Sequence, residues 1–159
     1  MKFIQGTTIY TCFKDGSKHC IGSAKVEEAI QEYTPKGRAK KPKYRLSLND
    51  FTRCGKNEIT LAEDYMDGYS ESAVEAVQFA LRRLFRSLDK PSAEERLLRA
   101  IFGDASCKPT VTEANLSEVI TDLISIEKAF AEAHKIDARS NELKEVRNER
   151  NRNNSRHRG

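Results

Sequence analysis

Cationic side chains are concentrated in two stretches of this sequence, where they could bind phosphate groups. Six cations and no acidic residue lie between Lys36 and Arg45, and five arginines against one glutamate lie in residues 147–159. A guanidinium group forks onto phosphate, and the asparagines among these arginines can donate to and accept from base edges. The ring of Tyr44 could stack on a base. The predicted nucleic-acid-binding residues are Lys36, Arg38, Lys40, Lys41, Lys43, Tyr44, Arg45, Arg147, Arg150, Arg152, Arg156 and Arg158.

An acidic stretch lies between the two basic ones. Residues 57–81 contain no lysine or arginine, and their carboxylates belong to Glu58, Glu63, Asp64, Asp67, Glu71 and Glu75. A surface that only solubilises a protein intersperses both signs, so segregated blocks indicate a field directed at a partner or a second copy of the chain. The alternative function is therefore a small protein-interaction module or inhibitor that docks this acidic face on a basic partner. The basic loop could also neutralise the acidic face, within the chain or between subunits.

Residues of catalytic type form no recognisable active site in the sequence. The three histidines, at 19, 134 and 157, belong to no zinc-protease motif, and neither a nucleophile elbow nor a P-loop occurs. The four cysteines, at 12, 20, 54 and 107, match no zinc or haem spacing. Two metal sites remain as alternatives, one at residues 12–20 with Cys54 and one at residues 63–67. We expect reduced thiols, no catalytic residue, no metal and no cofactor, so the protein is predicted not to be an enzyme.

Length and composition limit the fold class and the compartment. The chain has 159 residues and 18.1 kDa, which suits one domain with a tail, and 38% of its residues are hydrophobic against 33% charged. No run approaches the ~20 apolar residues of a membrane helix, and the N-terminus turns polar too soon for a signal peptide. We expect a protein without membrane contact, located in the cytoplasm or associated with a virion.

Alternating apolar residues predict an antiparallel sheet of about four strands in the N-terminal part of an α+β fold. The predicted strands cover residues 7–13, 18–21, 44–48 and 59–61, and Asp15-Gly16 gives a strong hairpin signal between the first two. Apolar residues at 26, 29, 30 and 33 predict a short helix over residues 24–33. Because a hairpin and helix then follow again, the sheet could consist of two ββα units.

Three helices are predicted after Gly68. The first begins near Ser72 with a Ser72–Glu75 capping box, the second spans residues 92–102, and the third is long and begins near Asn115. The residues predicted to form one core with the sheet are Leu81, Leu84, Phe85, Leu97, Ile101, Leu123, Ile126 and Phe130. Residues 1–146 are expected to be a single domain, and residues 147–159 an Arg/Asn-rich tail that is disordered because it has no apolar residue.

These features favour a non-enzymatic nucleic-acid-binding protein, with RNA or single-stranded nucleic acid as its partner. A last helix of roughly 30 residues would span about 45 Å, which is more than a small sheet can cover. Leu143 and Val146 would then lie beyond the edge of the domain, so we predict a homo-oligomer. An oligomerising nucleoprotein or coat protein of viral or phage type would combine both properties.

Overall fold

The computed structural model describes residues 2–49, 57–88 and 113–156, and in the last helix it describes the side chains of residues 115–152. The strands are β1 (Thr8–Asp15), β2 (Lys18–Ile30), β3 (Lys43–Leu48), β4 (Glu58–Ala62) and β5 (Tyr69–Ser70). A 3-10 turn, Glu63–Met66, follows β4, and the helices are α1 (Ala73–Leu88) and α2 (Glu113–Arg156). The helix predicted over residues 92–102 lies outside the described residues. Neither α1 nor α2 has the length and hydropathy needed to cross a membrane.

The described strands form one antiparallel sheet in the order β4-β3-β2-β1-β5. The β1–β2 hairpin turns at Gly16, whose φ of 63° suits glycine, and its closing pair is Asp15 with Lys18. Strands β3 and β4 pair antiparallel, as the second predicted hairpin requires. Strand β5 has only two residues and was not predicted. The α+β class, the antiparallel N-terminal sheet and the long last helix are confirmed.

The helix predicted over residues 24–33 is wrong, because residues 24–30 continue strand β2. This strand has 13 residues and pairs with β1 on one side and with β3 on the other. A β-bulge between Val26 and Glu28 shifts its register against β3. The extra residue places two positions on the same face, Val26 and Ala29, three apart, which is also the spacing of a helix face. The arrangement as two ββα units is wrong as well, since its first helix does not exist.

The described core consists of two hydrophobic clusters on opposite faces of the sheet. Ile9 belongs to one cluster and Cys12 to the other, and side chains an odd number of residues apart in a strand point to opposite faces. Phe3 and Met66 close the first cluster, from the N-terminal segment and the 3-10 turn. Helices α1 and α2 cover the second cluster. The single core predicted from the sequence is therefore wrong.

The helix faces were predicted in part. Ile126 is buried, and half-buried Leu81, Leu84 and Phe130 pack around the same cluster. Phe85 and Leu123 are 51% and 38% exposed, so their assignment to the core is wrong. The buried stripes of the two helices are instead rich in alanine, which lets the helices lie close together: Ala73, Ala76, Ala80, Ala129 and Ala133. Leu97 and Ile101 lie outside the described residues.

Helix α2 continues to Arg156, so the predicted disorder is wrong for residues 147–156. That prediction relied on the lack of apolar residues, but a helix already nucleated by packing elongates without further burial. Residues 113–156 contain no glycine or proline, and cations near a C-terminus interact favourably with the helix dipole. Every side chain from residue 141 to 152 is exposed. The end of α2 is therefore a projecting helix that passes through residue 147 without a break.

Helix α1 begins against a carboxylate of α2. Asp137 accepts hydrogen bonds from the N–H of Ala73 at 2.8 Å, the N–H of Val74 at 3.2 Å and the hydroxyl of Ser72 at 2.7 Å. The Ser72 hydroxyl also accepts the N–H of Glu75 at 3.2 Å, which is one half of the predicted capping box. A side chain distant in sequence thus satisfies the first N–H groups of α1 and opposes the positive end of its dipole.

Replacing Asp137 by alanine is expected to lower the free energy of unfolding by about 1–2 kcal/mol, because the change leaves N–H groups at the start of α1 without acceptors. For a chain of this size that corresponds to a loss of roughly 2–8 °C in Tm. Thermal unfolding followed by circular dichroism measures it. Glu142→Ala, an exposed change on the same helix, is the control. Equal Tm values for the two variants would show that the cap contributes nothing.

Candidate nucleic-acid interface

The basic segment, residues 36–45, includes the turn between β2 and β3 and the start of β3. The turn is closed by the N–H of Gly37 donating to the Thr34 carbonyl at 2.8 Å and the N–H of Thr34 donating to the Arg38 carbonyl at 2.7 Å. The Thr34 hydroxyl accepts the N–H of Arg38 at 3.0 Å, and Gly37 has a φ of 74°. The turn is therefore well defined, and it carries Lys36 and Arg38 at its exposed tip.

Four of the six cations in the basic segment form ion pairs. The pairs are Lys40–Glu32 (3.6 Å), Lys43–Glu32 (3.0 Å), Lys41–Asp64 (2.6 Å) and Arg45–Glu28 (3.2 Å). The hydrogen bond from Lys43 lowers the pKa of Glu32, and the hydrogen bond to Asp64 raises the pKa of Lys41. No described carboxylate lies within 4.0 Å of Lys36 or Arg38. The segment is thus much less cationic than its sequence indicates.

The prediction that Tyr44 stacks on a base is wrong, because its side chain is fully buried. Its hydroxyl donates to Glu63 Oε1 at 2.9 Å and accepts the backbone N–H groups of Lys2 and Phe3. Burial, followed by the hydrogen bond to Glu63, raises the pKa of this phenol. Tyr44 lies in a strand that alternates between core and solvent, and it faces the core with Leu46. Its role is to fasten the N-terminal segment to the sheet.

The second predicted group of cations lies at the exposed end of α2. Arg147, Arg150 and Arg152 are exposed, and none has a described carboxylate within 4.0 Å. Glu149 is the one acidic residue among these arginines, and no acidic residue follows it in the sequence. With 3.6 residues per turn, Arg150 and Arg152 lie on nearly opposite sides of the helix. The described arginines thus project from two sides of this helix. The side chains of Arg156 and Arg158 lie outside the description.

The acidic stretch is partly used inside the fold. Glu63 accepts the Tyr44 hydroxyl, Asp64 pairs with Lys41, and Glu75 accepts the Ser70 hydroxyl. The remaining carboxylates, which are exposed, are Glu58, Asp67 and Glu71. They come from β4, from the residues after the 3-10 turn and from the residues before α1. The structure does not gather the six predicted carboxylates into one free acidic face.

A cavity of about 590 Å³ between the β1–β2 hairpin and α2 contains a histidine–serine pair. The Ser125 hydroxyl accepts the backbone N–H of His19 at 2.6 Å, and its Oγ lies 3.2 Å from His19 Nδ1. Burial lowers the pKa of His19, so more of its imidazole is neutral at pH 7. A hydroxyl beside a neutral imidazole is the pair that nucleophilic catalysis uses, but no described hydrogen bond to a carboxylate orients this ring. The pair joins β2 to α2.

The alternative metal site at residues 12–20 is not assembled by the described residues. Cys12 is buried in the helix-covered cluster, while Cys20 pairs with Phe13 and so lies on the other face of the sheet. Among the residues described, no group of three histidine, cysteine or acidic side chains could hold a metal ion. Cys54, which the alternative also required, lies outside them. Burial raises the pKa of the Cys12 thiol to about 11, which keeps it protonated.

One cationic group was missed by the sequence analysis. Phe79, Arg82, Arg83 and Arg86 share one side of α1, because residues three and four apart are neighbours on a helix. The hydrophobic periodicity assigns these arginines to the solvent side, which is correct. This periodicity cannot show that Lys2, which is distant in the sequence, lies beside them at the Phe79 ring. An aromatic residue followed at helical spacing by three arginines is the signal that could have identified this group.

Comparison of the chain with protein-family models, with curated proteins and with solved structures gives no match. What the protein binds is therefore inferred from the charged side chains that the fold leaves without a partner. Three groups of described cations without an ion pair are considered: the tip of the basic segment, the end of α2 and the arginine group on α1.

Removing the carboxylates that pair with the basic segment is expected to strengthen nucleic-acid binding. The variant Glu28→Gln/Glu32→Gln/Asp64→Asn frees four cations, and exposed ion pairs contribute little to stability. If three of these cations reach phosphates, the slope of log K against log salt becomes steeper by about 2 on a single strand. Fluorescence anisotropy with a labelled 20-nucleotide oligouridylate measures the slope.

The control for this experiment changes the same charge away from the basic segment. Glu58→Gln/Glu71→Gln/Glu127→Gln removes three exposed carboxylates that pair with none of its cations. We expect this control to change the slope much less. Equal slopes in the two variants would mean that overall charge, and not unmasking of the segment, controls binding.

Proposed function

We propose that this chain is a non-enzymatic nucleic-acid-binding protein that contacts RNA or single-stranded nucleic acid through its C-terminal basic segment, residues 147–158. The observation that carries the proposal is the projecting end of α2, where arginines on two sides of the helix are exposed without described carboxylate partners. Guanidinium groups recognise phosphate through paired N–H donors. A polyanion supplies the counter-charge that the protein itself does not.

Several cations elsewhere in the described fold are paired with carboxylates, unlike these arginines. Lys14 pairs with Asp122 at 2.8 Å, Lys25 pairs with Glu27 at 3.5 Å, and the basic segment is largely paired. Cations near a helix C-terminus also interact with the dipole, but this effect fades beyond the last turn. Arg147 lies more than two turns before Arg156, so the dipole does not account for it. A phosphate partner accounts for all the arginines together.

The distribution of arginines around α2 indicates contact with the nucleic-acid backbone. Base-edge readout needs several side chains on one helix face that enters a groove. Here Arg150 and Arg152 point to nearly opposite sides, so a strand would have to wrap around the helix to meet both. Phosphate contacts of this kind carry little sequence information. Binding is therefore expected to have weak sequence preference.

We also propose that the chain forms a homo-oligomer. Leu143 and Val146 are 72% and 47% exposed, on the part of α2 that extends past the start of α1 at Asp137. They are three residues apart and so lie on one side of the helix, where a second copy could cover them. A cytoplasmic or virion-associated nucleoprotein or coat protein would need both this contact and the C-terminal basic segment.

Replacing the arginines at 147, 150, 152, 156 and 158 by glutamine is expected to remove most of the salt dependence of binding. Five phosphate contacts correspond to a log–log slope of about −3.5 on a single strand. Tm should stay nearly unchanged, because residues 147–152 contact no core residue. Anisotropy of a labelled 20-nucleotide oligouridylate, titrated between ~50 and ~300 mM salt, measures the slope.

The matched control neutralises cations that already have partners, at Lys40, Lys41, Lys43 and Arg45. We expect its slope to remain close to that of the unmodified chain. If the C-terminal variant instead binds as the unmodified chain does at every salt concentration, the segment only solubilises the protein. If the unmodified chain binds neither RNA nor DNA at ~50 mM salt, the protein-interaction alternative takes the place of this proposal.

A further inference from the structure

The described lining of a cleft at the C-terminal end of α1 contains three arginines and one acidic residue. Its volume is about 350 Å³. The side chains that line it are Asp67, Phe79, Arg82, Arg83 and Arg86, together with the backbone of Gly68. Cavities from about this size upwards are typical of small-molecule sites. The cleft is built from α1 and from the turn that precedes β5, so it belongs to the folded body and not to the projecting end of α2.

The ring of Phe79 holds two of the cations in place. The guanidinium carbon of Arg82 lies 5.6 Å from the ring centroid, and Lys2 Nζ lies 5.8 Å from it. Attraction of a cation to an aromatic face at these distances restricts both side chains. Lys2 is also placed by its Nζ donating to the Met66 carbonyl at 3.5 Å. Arg82 and Lys2 are therefore held beside the ring before a ligand binds.

Arg83 is fixed from the opposite side. Its Nη2 donates to the Cys12 carbonyl at 3.3 Å, at an edge of β1 that β5 does not cover. The guanidinium lies against Gly68, where a Cβ would come within 2.9 Å of Nη2. The φ of Gly68 is 92°, which also favours glycine. A guanidinium has five N–H donors, so this one keeps donors for a ligand after binding Cys12.

The electrostatics of the cleft differ from those of the basic segment. No described carboxylate lies within 4.0 Å of Arg82, Arg83 or Arg86, and among the described lining residues Asp67 alone is acidic. Arg82 and Arg86 are four residues apart on a helix, where like charges repel. The negative end of the α1 dipole offsets part of that repulsion. A site whose described lining gathers three arginines around one carboxylate is complementary to an anion with several oxygens.

We propose that this cleft binds a phosphate group, contributed by the backbone of a single-stranded nucleic acid. The inference rests on the proposed function for the identity of the ligand, but it concerns a different set of residues. Arg82 and Arg86 meet the phosphate from α1, Arg83 meets it from the sheet edge, and Lys2 adds a point charge. Phe79 acts as a positioning residue that holds Arg82 and Lys2.

The cleft and the C-terminal basic segment lie at opposite ends of the helix pair. Asp137 of α2 meets the start of α1, whereas Asp122 meets Lys14, two residues along β1 from the Cys12 that Arg83 binds. The helices therefore run antiparallel. From Arg83 to the start of α1 is about 15 Å, and from Asp137 to Arg152 is about 22 Å at 1.5 Å per residue. Sites about 37 Å apart along this axis should contribute additively to binding.

The test replaces Arg82 and Arg86 by glutamine and keeps Arg83, because Arg83 also binds the β1 backbone. Loss of the one phosphate contact that they share is expected to reduce the salt slope of oligouridylate binding by about 0.7. The control Lys43→Gln/Arg45→Gln removes the same charge from ion-paired positions and should leave the slope nearly unchanged. Equal slope changes in the two variants would overturn the proposal, since bulk charge would then explain both.

A second variant separates geometry from charge. Phe79→Leu keeps every charge but removes the ring that positions Arg82 and Lys2, so we expect a severalfold weaker affinity with a helical spectrum like that of the unmodified chain. Unchanged affinity would overturn the positioning role. Titration with inorganic pyrophosphate tests the other source of phosphate. If Arg82→Gln/Arg86→Gln abolishes pyrophosphate binding and leaves oligouridylate binding intact, the assignment to nucleic acid is wrong.

Combining the variants distinguishes a failure of the cleft proposal from a failure of the proposed function. When the C-terminal arginines and the cleft arginines are neutralised together, the slope should fall by about 4.2, close to the sum of the two separate losses. If only the cleft variant weakens binding, the proposed role of the C-terminal segment fails and the cleft stands. If only the C-terminal variant weakens binding, the cleft proposal fails.

Discussion

The length of strand β2 is the constraint on which the rest of this fold depends. Its 13 residues pair with β1 over the first part and with β3 over the second, and the two pairings overlap only at Ala24 and Lys25. The sheet is therefore long enough to need cover in two places, on two faces. Helices α1 and α2 cover the hairpin end, and the N-terminal segment with the 3-10 turn covers the other. Both covers are tied to the sheet by polar contacts, through Ser125 and through Tyr44.

Most of the secondary structure could be predicted because its local signals agree with its tertiary role. The Asp15-Gly16 turn, the alternation in β3 and the periodicity of α1 each specify one structure. The second half of β2 could not be predicted as a strand. The bulge after Val26 changes the spacing of residues on one face from two to three. Glutamate and alanine at these positions also favour helices. Pairing with β3 overrides that preference. Local periodicity carries no information about a partner strand that lies about 15 residues away in the sequence.

The same error explains why the candidate site was predicted only in part. Glu28 and Glu32 belong to a stretch that reads as an isolated helix, so nothing in the sequence places them beside the basic segment. In the antiparallel ladder Glu28 lies directly opposite Arg45, and Glu32 reaches Lys43. Cross-strand pairing thus neutralises cations that composition counts as free. The arginines of α2 could be predicted as exposed, because they follow the last apolar residue and no strand is available to pair with them.

The charges of α2 change sign along its length, and this connects its stability with its proposed role. Asp122 and Asp137 lie on the part that packs against the sheet and α1, where they bind Lys14 and cap Ala73. The arginines lie on the part that projects, where the C-terminal end of the dipole is negative. The same cations therefore favour a continuous helix and remain open to phosphate. A helix held straight by the domain keeps its arginines extended before a ligand arrives, so less conformational entropy is lost on binding than for a disordered arm. In the proposed binding mode, the fold contributes by ordering a segment whose composition alone would leave it unstructured.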